Sequence, residues 1–260
     1  MRVSGRWKLR WLAVPSLCTL LCACPAPPRV PSAQPAPATA VGAGAEAPLP
    51  HLGTPYDVAA AESLLTILVF RAGALASAGH NHVIASHTLS GTIYVPQDLA
   101  GVSFELRVPV DSLTVDDAAL RAAQGSADFP PDVPESAREG TRSNMLSSAL
   151  LDAEAHPEIV LRALPAAATS SADPTPLPQS GVLQARVQAE VRGQTHTLTV
   201  PVRYQRSGQT VTVSGDFALK QSELGLTPFS AMLGALQVKD QMRVRFHIVA
   251  HAAQASPAQR

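Results

Sequence analysis

Hydrophobic and polar side chains alternate with a period of two through most of the chain from Tyr56 to His251. Val102, Phe104, Leu106, Val108 and Val110 are interleaved with Ser103, Glu105, Arg107 and Pro109. Leu183, Ala185, Val187, Ala189 and Val191 alternate with Gln184, Arg186, Gln188, Glu190 and Arg192. The same rhythm carries Leu198, Val200, Val202 and Tyr204, then Val211, Val213, Phe217 and Leu219, and finally Met242, Val244, Phe246 and Ile248. Successive side chains of a strand point to opposite faces, so each run predicts a strand with one dry and one wet face. Gly193-Gln194 and Ser207-Gly208 separate consecutive runs by connections short enough for hairpins.

Leu64 to Phe70 is apolar on both faces, which predicts a strand covered on its outer side. The covering elements are expected to be helical, over Asp116–Gln124 and Ser143–Ala155, with a short turn at Pro228–Leu236 as a third candidate. Leu164 to Pro178, rich in Pro, Ala, Ser and Thr, reads as a long exposed loop. The fold class expected is therefore all-β with a few short helices: sequential antiparallel strands, about eight, closing into an up-and-down barrel that leaves no open edge.

The first residues read as an address. Arg2, Arg6, Lys8 and Arg10 precede the apolar stretch Trp11–Ala23, too short to span a bilayer comfortably but suited to a signal peptide. It closes on Leu21-Cys22-Ala23-Cys24, which resembles a bacterial lipobox with Cys24 as the lipidated residue and residues 1–23 removed. Pro25 after the cysteine predicts an outer-membrane lipoprotein facing the periplasm, with a secreted or soluble periplasmic protein as the alternative. Residues 25–50 contain eight prolines and eight alanines and almost no large apolar group, so residues 24–55 read as an extended tether. The folded domain is expected over 56–251 and a disordered tail over 252–260.

Composition narrows the chemistry. The 20 basic and 20 acidic residues balance and aromatics make up 4%, which gives no basic stripe and no stacking platform for a nucleic acid. All three cysteines lie in the first 24 residues, so no disulfide or cysteine zinc site is expected in the domain.

Several short motifs in fixed order resemble the YceI-like domain family. They are Tyr56-Asp57-Val58 with Ser63, Leu89-Ser90-Gly91-Thr92-Ile93, Ser148-Ala149-Leu150-Leu151-Asp152 and His156-Pro157-Glu158-Ile159. Gly193-Gln194-Thr195-His196, Glu223-Leu224-Gly225-Leu226 and Val238-Lys239-Asp240 complete the series. The resemblance implies a lipocalin-like barrel, secreted or periplasmic, that holds an isoprenoid or other long-chain amphiphile and brings no catalytic residues. The sequence departs from the family in lacking an aromatic at Leu150 and in its long insertion around 166–178.

On this reading Phe70, Phe104, Leu106, Leu183, Val187, Leu198, Val200, Phe217, Leu219 and Phe246 face the lumen. Such a lining is filled either by its own side chains or by an apolar guest. His80 and His82, on one face of a regular strand, are head-group candidates and a weak two-histidine metal site; His87 falls on the other face. His156 is expected at a helix end, His196 exposed beside a hairpin, and His247 and His251 outward on the last strand. Asp116-Asp117 fits a solvated helix start and Lys239-Asp240 a surface pair. No Gly-x-Ser-x-Gly or His-Glu-x-x-His is present, so no enzyme and no cofactor is expected beyond a bound lipid. The leading function is non-enzymatic binding, storage or transport of an amphiphile. Two alternatives stay open: an envelope interaction or stress-protective protein with a packed barrel, and a histidine-based metal module.

Overall fold

The computed structural model describes residues 47–96, 101–165 and 179–253. The leader, Cys24 and the tether up to residue 46 lie outside the described residues, as do most of the insertion (166–178) and the tail from 254.

Ten strands of five residues or more build the main sheet among the described residues: β1 (Thr54–Val58), β2 (Leu64–Val69), β3 (His82–Ser86), β4 (Ser90–Val95), β5 (Ser103–Pro109), β6 (Glu158–Ala163), β7 (Ser180–Val191), β8 (Gln194–Ser207), β9 (Thr210–Lys220) and β10 (Gln241–Ala252). Eight of them close into an antiparallel ring in the order β1-β4-β5-β6-β7-β8-β9-β10, with β10 returning to β1. The expected fold class is thus the one observed. β2 and β3 continue the ring locally: β10 pairs with β2 through Arg243–His247 and with β1 through Ala250–Ala252.

The break between β1 and β2 is a single turn at Ala60–Glu62, and Ser63 repairs it. Its buried hydroxyl donates to the Ala59 carbonyl at 2.8 Å and accepts from the Val249 N–H at 3.1 Å, so the ladder group freed by the turn stays paired. A second irregularity lies between β8 and β9, where pairing covers only Arg203–Ser207 with Ser214–Thr210. Beyond it stands Pro201, which has no N–H to continue the ladder. The turn at Gln221–Leu224 follows β9, and Gly225 packs beside the Gln194 and His196 side chains at the start of β8.

The hairpin between β7 and β8 turns on Arg192 (φ 51°) and Gly193 (φ 67°), the two positive φ values that match the twist of paired strands. That is one residue earlier than the Gly193-Gln194 turn read from the sequence.

Helix α1 (Ala118–Ala122) begins with Asp117, whose carboxylate accepts the Leu120 N–H at 3.0 Å. Helix α2 spans Glu135–Leu146, not Ser143–Ala155. It starts after Pro134, and residues 147–156 form turns around Asp152, whose φ is 51°. Within Pro228–Leu236 only Met232–Gly234 forms a short 3-10 turn, distorted by left-handed backbone at Met232 and Leu233. Ser230–Ala231 and Leu236–Val238 on either side are short strands that pair with each other and, through Gln237 and Val238, with Arg71–Ala72.

The main core runs along the inside of the barrel, from Tyr56, Val95 and Ala250 near one end to Leu219 and Met242 near the other. Leu113, Met145, Leu151, Leu224 and Leu226 are buried in it and plug the end where β7 turns into β8. A second, smaller cluster lies outside the wall, with Leu68, Val83 and Phe129 buried and Phe70 and Leu120 packed against them. It supplies the outer cover that the doubly apolar strand requires.

Candidate functional site

Inward parity on the ring strands builds a cavity of about 320 Å³, within the range of small-ligand pockets. Its lining is apolar apart from Gln184, Arg186, Tyr204 and Arg206. Of the ten residues expected there, nine line it: Phe104, Leu106, Leu183, Val187, Leu198, Val200, Phe217, Leu219 and Phe246.

Phe70 is the exception, and a correction. Even-numbered residues of β2 face outward, and Phe70 follows that strand. Its ring meets Phe129 edge-on at 5.8 Å outside the barrel, with the Lys239 ammonium 5.8 Å from its centre. Leu65 and Ile67 take the inward positions instead.

The lining is not packed to completion. Phe104, Leu183, Leu198, Phe217 and Phe246 point inward yet remain only half-buried. Near the plugged end the same wall is dry: Val191 is 2% exposed and Leu219 8%. Two glycines widen the lumen. The Phe246 ring covers Gly215, and the Tyr204 ring covers Gly181 directly across the β7–β8 ladder.

The polar lining residues gather at the open end. Tyr204 and Arg206 have inward parity near the end of β8, whereas Arg186 turns outward to donate to the Pro165 carbonyl at 2.9 Å. Leu49 and Leu164 border the same rim. The Leu49 N–H donates to the Ala163 carbonyl, and His51 stacks on Tyr94 with ring centres 4.4 Å apart. Residues 47–53, expected in the tether, therefore lie against the barrel. Leu164, expected in an exposed loop, is buried.

The wet faces are knitted by ion pairs. Arg162 and Arg107 both bond Glu105, and hydrogen bonding by Arg162 is the main influence holding that carboxyl below its usual range.

His80 and His82 stand at neither rim nor metal. His80 precedes β3 and does not share a regular strand with His82; their ring centres are 6.3 Å apart. His82 pairs with Val69 at the plugged end, far along the strands from Tyr204 and Arg206. Its Nδ1 lies 2.6 Å from Asp116 Oδ2 and its Nε2 lies 3.2 Å from Thr141 Oγ1 on α2. With both ring nitrogens engaged, His82 offers no free lone pair. Among the described residues no group of three or more His, Cys, Asp or Glu is placed to hold a metal.

Asp116, expected in solvent, is 1% exposed. Its carboxylate takes His82, the Val83 N–H at 2.8 Å and Arg121 Nη1 at 2.5 Å. Burial pushes this carboxyl up, but the hydrogen bonds from His82, the Val83 N–H and Arg121 prevail and leave it lowered. Arg121 is equally buried, donating also to the Asn81 and Pro130 carbonyls at 2.8 Å. This cluster ties β3, α1 and α2 to the outside of the wall. The link from His82 to Asp116 spans 34 residues, which no local pattern announces.

The remaining histidines are peripheral. His247 and His251 are exposed on β10, the latter 2.9 Å from Glu62. His156 packs under the hairpin at Gly193. His196 is half-buried beside Gly225, not exposed as expected.

Comparison with known proteins agrees with this geometry. The family description "YceI-like domain" matches residues 56–250. Among solved structures, a polyisoprenoid binding domain from Saccharophagus degradans implicated in plant cell wall breakdown is similar, with a TM-score of 0.50 and 13% identity; the match covers 76% of this chain and 98% of that one. Burkholderia cenocepacia BcnA gives a TM-score of 0.50 at 16% identity, covering 74% of this chain and 99% of the other. Among curated proteins no sequence match is found. At such identities the likeness speaks for the fold, while the family match spans most of the chain. With a closed eight-stranded barrel and the motifs in their order, the chain belongs to the YceI-like domain family.

Proposed function

We propose that the barrel binds a hydrophobic amphiphile, an isoprenoid or another long-chain lipid, with its tail in the lumen and its polar end at the rim. The observation that carries this reading is the incompletely filled apolar cavity, in which five inward side chains stay half-buried. Water inside such a lining finds almost no hydrogen-bond partner, whereas each methylene of a tail contributes about 0.8 kcal/mol on burial. The solved relative from Saccharophagus degradans, described as a polyisoprenoid binding domain, supports the ligand class. Tyr204 and Arg206 replace His80 and His82 as the groups that meet the polar end. The step is non-covalent and needs no cofactor.

The same reading puts the protein at the periplasmic face of the outer membrane, held by a lipid on Cys24. Mass spectrometry of the mature N-terminus tests that part: a diacylated, N-acylated cysteine is expected, and an unmodified first residue removes the anchor. For the lumen, native mass spectrometry of protein purified without detergent and mixed with a long-chain prenol is decisive. An adduct of one prenol per chain is expected. A bare chain throughout would leave the barrel a packed scaffold that acts through its surface.

A further inference from the structure

Six large apolar side chains are exposed among the described residues, and four of them, Leu75, Phe229, Met232 and Leu233, belong to two loops held by one small sheet. Its strands Ser230–Ala231, Leu236–Val238 and Arg71–Ala72 pair in that order. The Leu75 N–H donates to the Ala235 carbonyl at 2.7 Å and the Ala235 N–H to the Met232 carbonyl at 3.1 Å. At the tip Met232 has φ 51° and Leu233 φ 53°, a left-handed region that costs residues with a Cβ. The frame nevertheless holds both outward: Met232 is 70% exposed and Leu233 fully so.

Two cations stand at the base of the same small sheet, Arg71 donating to the Gly79 carbonyl at 2.8 Å and Lys239 lying 5.8 Å from the Phe70 ring centre. Arg71 stands opposite Val238 in the small sheet, and Lys239 follows it, both exposed. The nearest carboxylate in sequence, Asp240, is taken up by the Ser222 N–H and hydroxyl at 2.8 and 2.7 Å.

Shape decides what such a tip can meet. A stable protein interface buries about 1,000 Å² or more over complementary surfaces, which a convex pair of side chains does not supply. A bilayer interface instead surrounds a protruding apolar tip on every side, and anionic head groups suit lysine and arginine at its base. We propose that Met232 and Leu233 insert into the interfacial layer of an anionic membrane, with Arg71 and Lys239 against its head groups. The tip sits where β10 begins, at the opposite end from Tyr204 and Arg206, so docking leaves the rim open to water. This contact depends neither on what the lumen holds nor on a lipid at Cys24.

The test uses residues 45–260, the compact unit that contains all ten strands and both clusters of the core. Trp7 and Trp11 are the only tryptophans of the chain, so Leu233→Trp introduces the single indole of this unit. With vesicles of phosphatidylethanolamine and phosphatidylglycerol, its emission is expected to shift to the blue and to be quenched by brominated lipid. Val182→Trp, 69% exposed on the rim half of β7, is expected to stay unshifted. Flotation with the vesicles is expected to fall at least tenfold in Met232→Ser/Leu233→Ser and several-fold in Arg71→Gln/Lys239→Gln. An unshifted Leu233→Trp spectrum, or an equal shift in Val182→Trp, overturns the proposal. So does a shift that follows protein concentration without lipid, which assigns the tip to contact between copies. Prenol binding in solution is read separately, so either result can fail alone.

Discussion

Gly215 lies directly opposite Phe246 in the ladder between β9 and β10, and the Phe246 ring occupies the space a side chain at 215 would need. A Cβ added there would stand 2.5 Å from two ring carbons and 2.7 Å from the Pro201 carbonyl oxygen. Substitution Gly215→Val therefore drives the ring into the lumen and presses on the seam between β8 and β9. Overpacking of this kind costs about 1–3 kcal/mol, so a fall of several degrees in Tm is expected. The retained prenol, weighed by native mass spectrometry, is expected to be shorter. An unchanged Tm together with an unchanged guest would show that the ring does not define the lumen.

Phe70 belongs to the outer cluster, which makes its removal a test of where the functional boundary runs. Phe70→Ala loses the edge-on contact with Phe129 and the cover over Leu68 and Val83. A cost of about 3 kcal/mol in urea unfolding is expected, with prenol affinity unchanged. A stable variant that no longer binds prenol would return Phe70 to the lumen.

The buried cluster of Asp116, His82 and Arg121 predicts a response to acid. The Asp116 carboxyl is lowered in the fold from its ordinary value of 3.8, so the folded state holds it ionised more readily than the unfolded chain. Its contribution to stability is fully present above pH 4 and is lost as the pH falls through the folded value. Asp116→Asn is expected to cost about 3–5 kcal/mol at pH 6, because Arg121 stays buried without its partner. Urea unfolding at pH 6 and at pH 3 should show the gap between wild type and variant narrowing in acid. A gap that is constant or wider at pH 3 contradicts the assignment.

Engagement of both His82 nitrogens predicts that the histidines do not form a metal site. Zinc titration by calorimetry should give the same weak isotherm for wild type and for His80→Ala/His82→Ala. A saturable site that disappears in the double variant would restore the metal reading.

What the sequence made legible depended on whether one face of a strand was polar. Leu183 to Val191 and Leu198 to Tyr204 alternate with polar or charged residues, Pro201 apart, so their inward sets followed from parity alone, Tyr204 at the rim included. Leu64 to Phe70 has almost no polar face; either parity fits, and Phe70 fell on the wrong side of the wall. Helix α2 was misplaced for a related reason, since Glu135 to Asn144 carries no apolar stripe and the apolar residues after it are held by turns. Asp116 depends on partners far along the chain and on a left-handed backbone of φ 55°, neither of which its neighbours encode. The tip at Met232 and Leu233 resembled a helical turn because its apolar residues satisfy no strand alternation.

The most direct test of the occupied lumen is a titration of a fluorescent prenyl probe into wild type and Val187→Trp. Val187 is 5% exposed, midway along β7 and opposite Leu198, so an indole there fills the space a tail would take. The account predicts saturable, stoichiometric uptake by wild type and by the smaller Val187→Ala, and at least tenfold weaker uptake by Val187→Trp with its strand circular dichroism intact. Equal uptake by a folded Val187→Trp, or none by wild type, would contradict it.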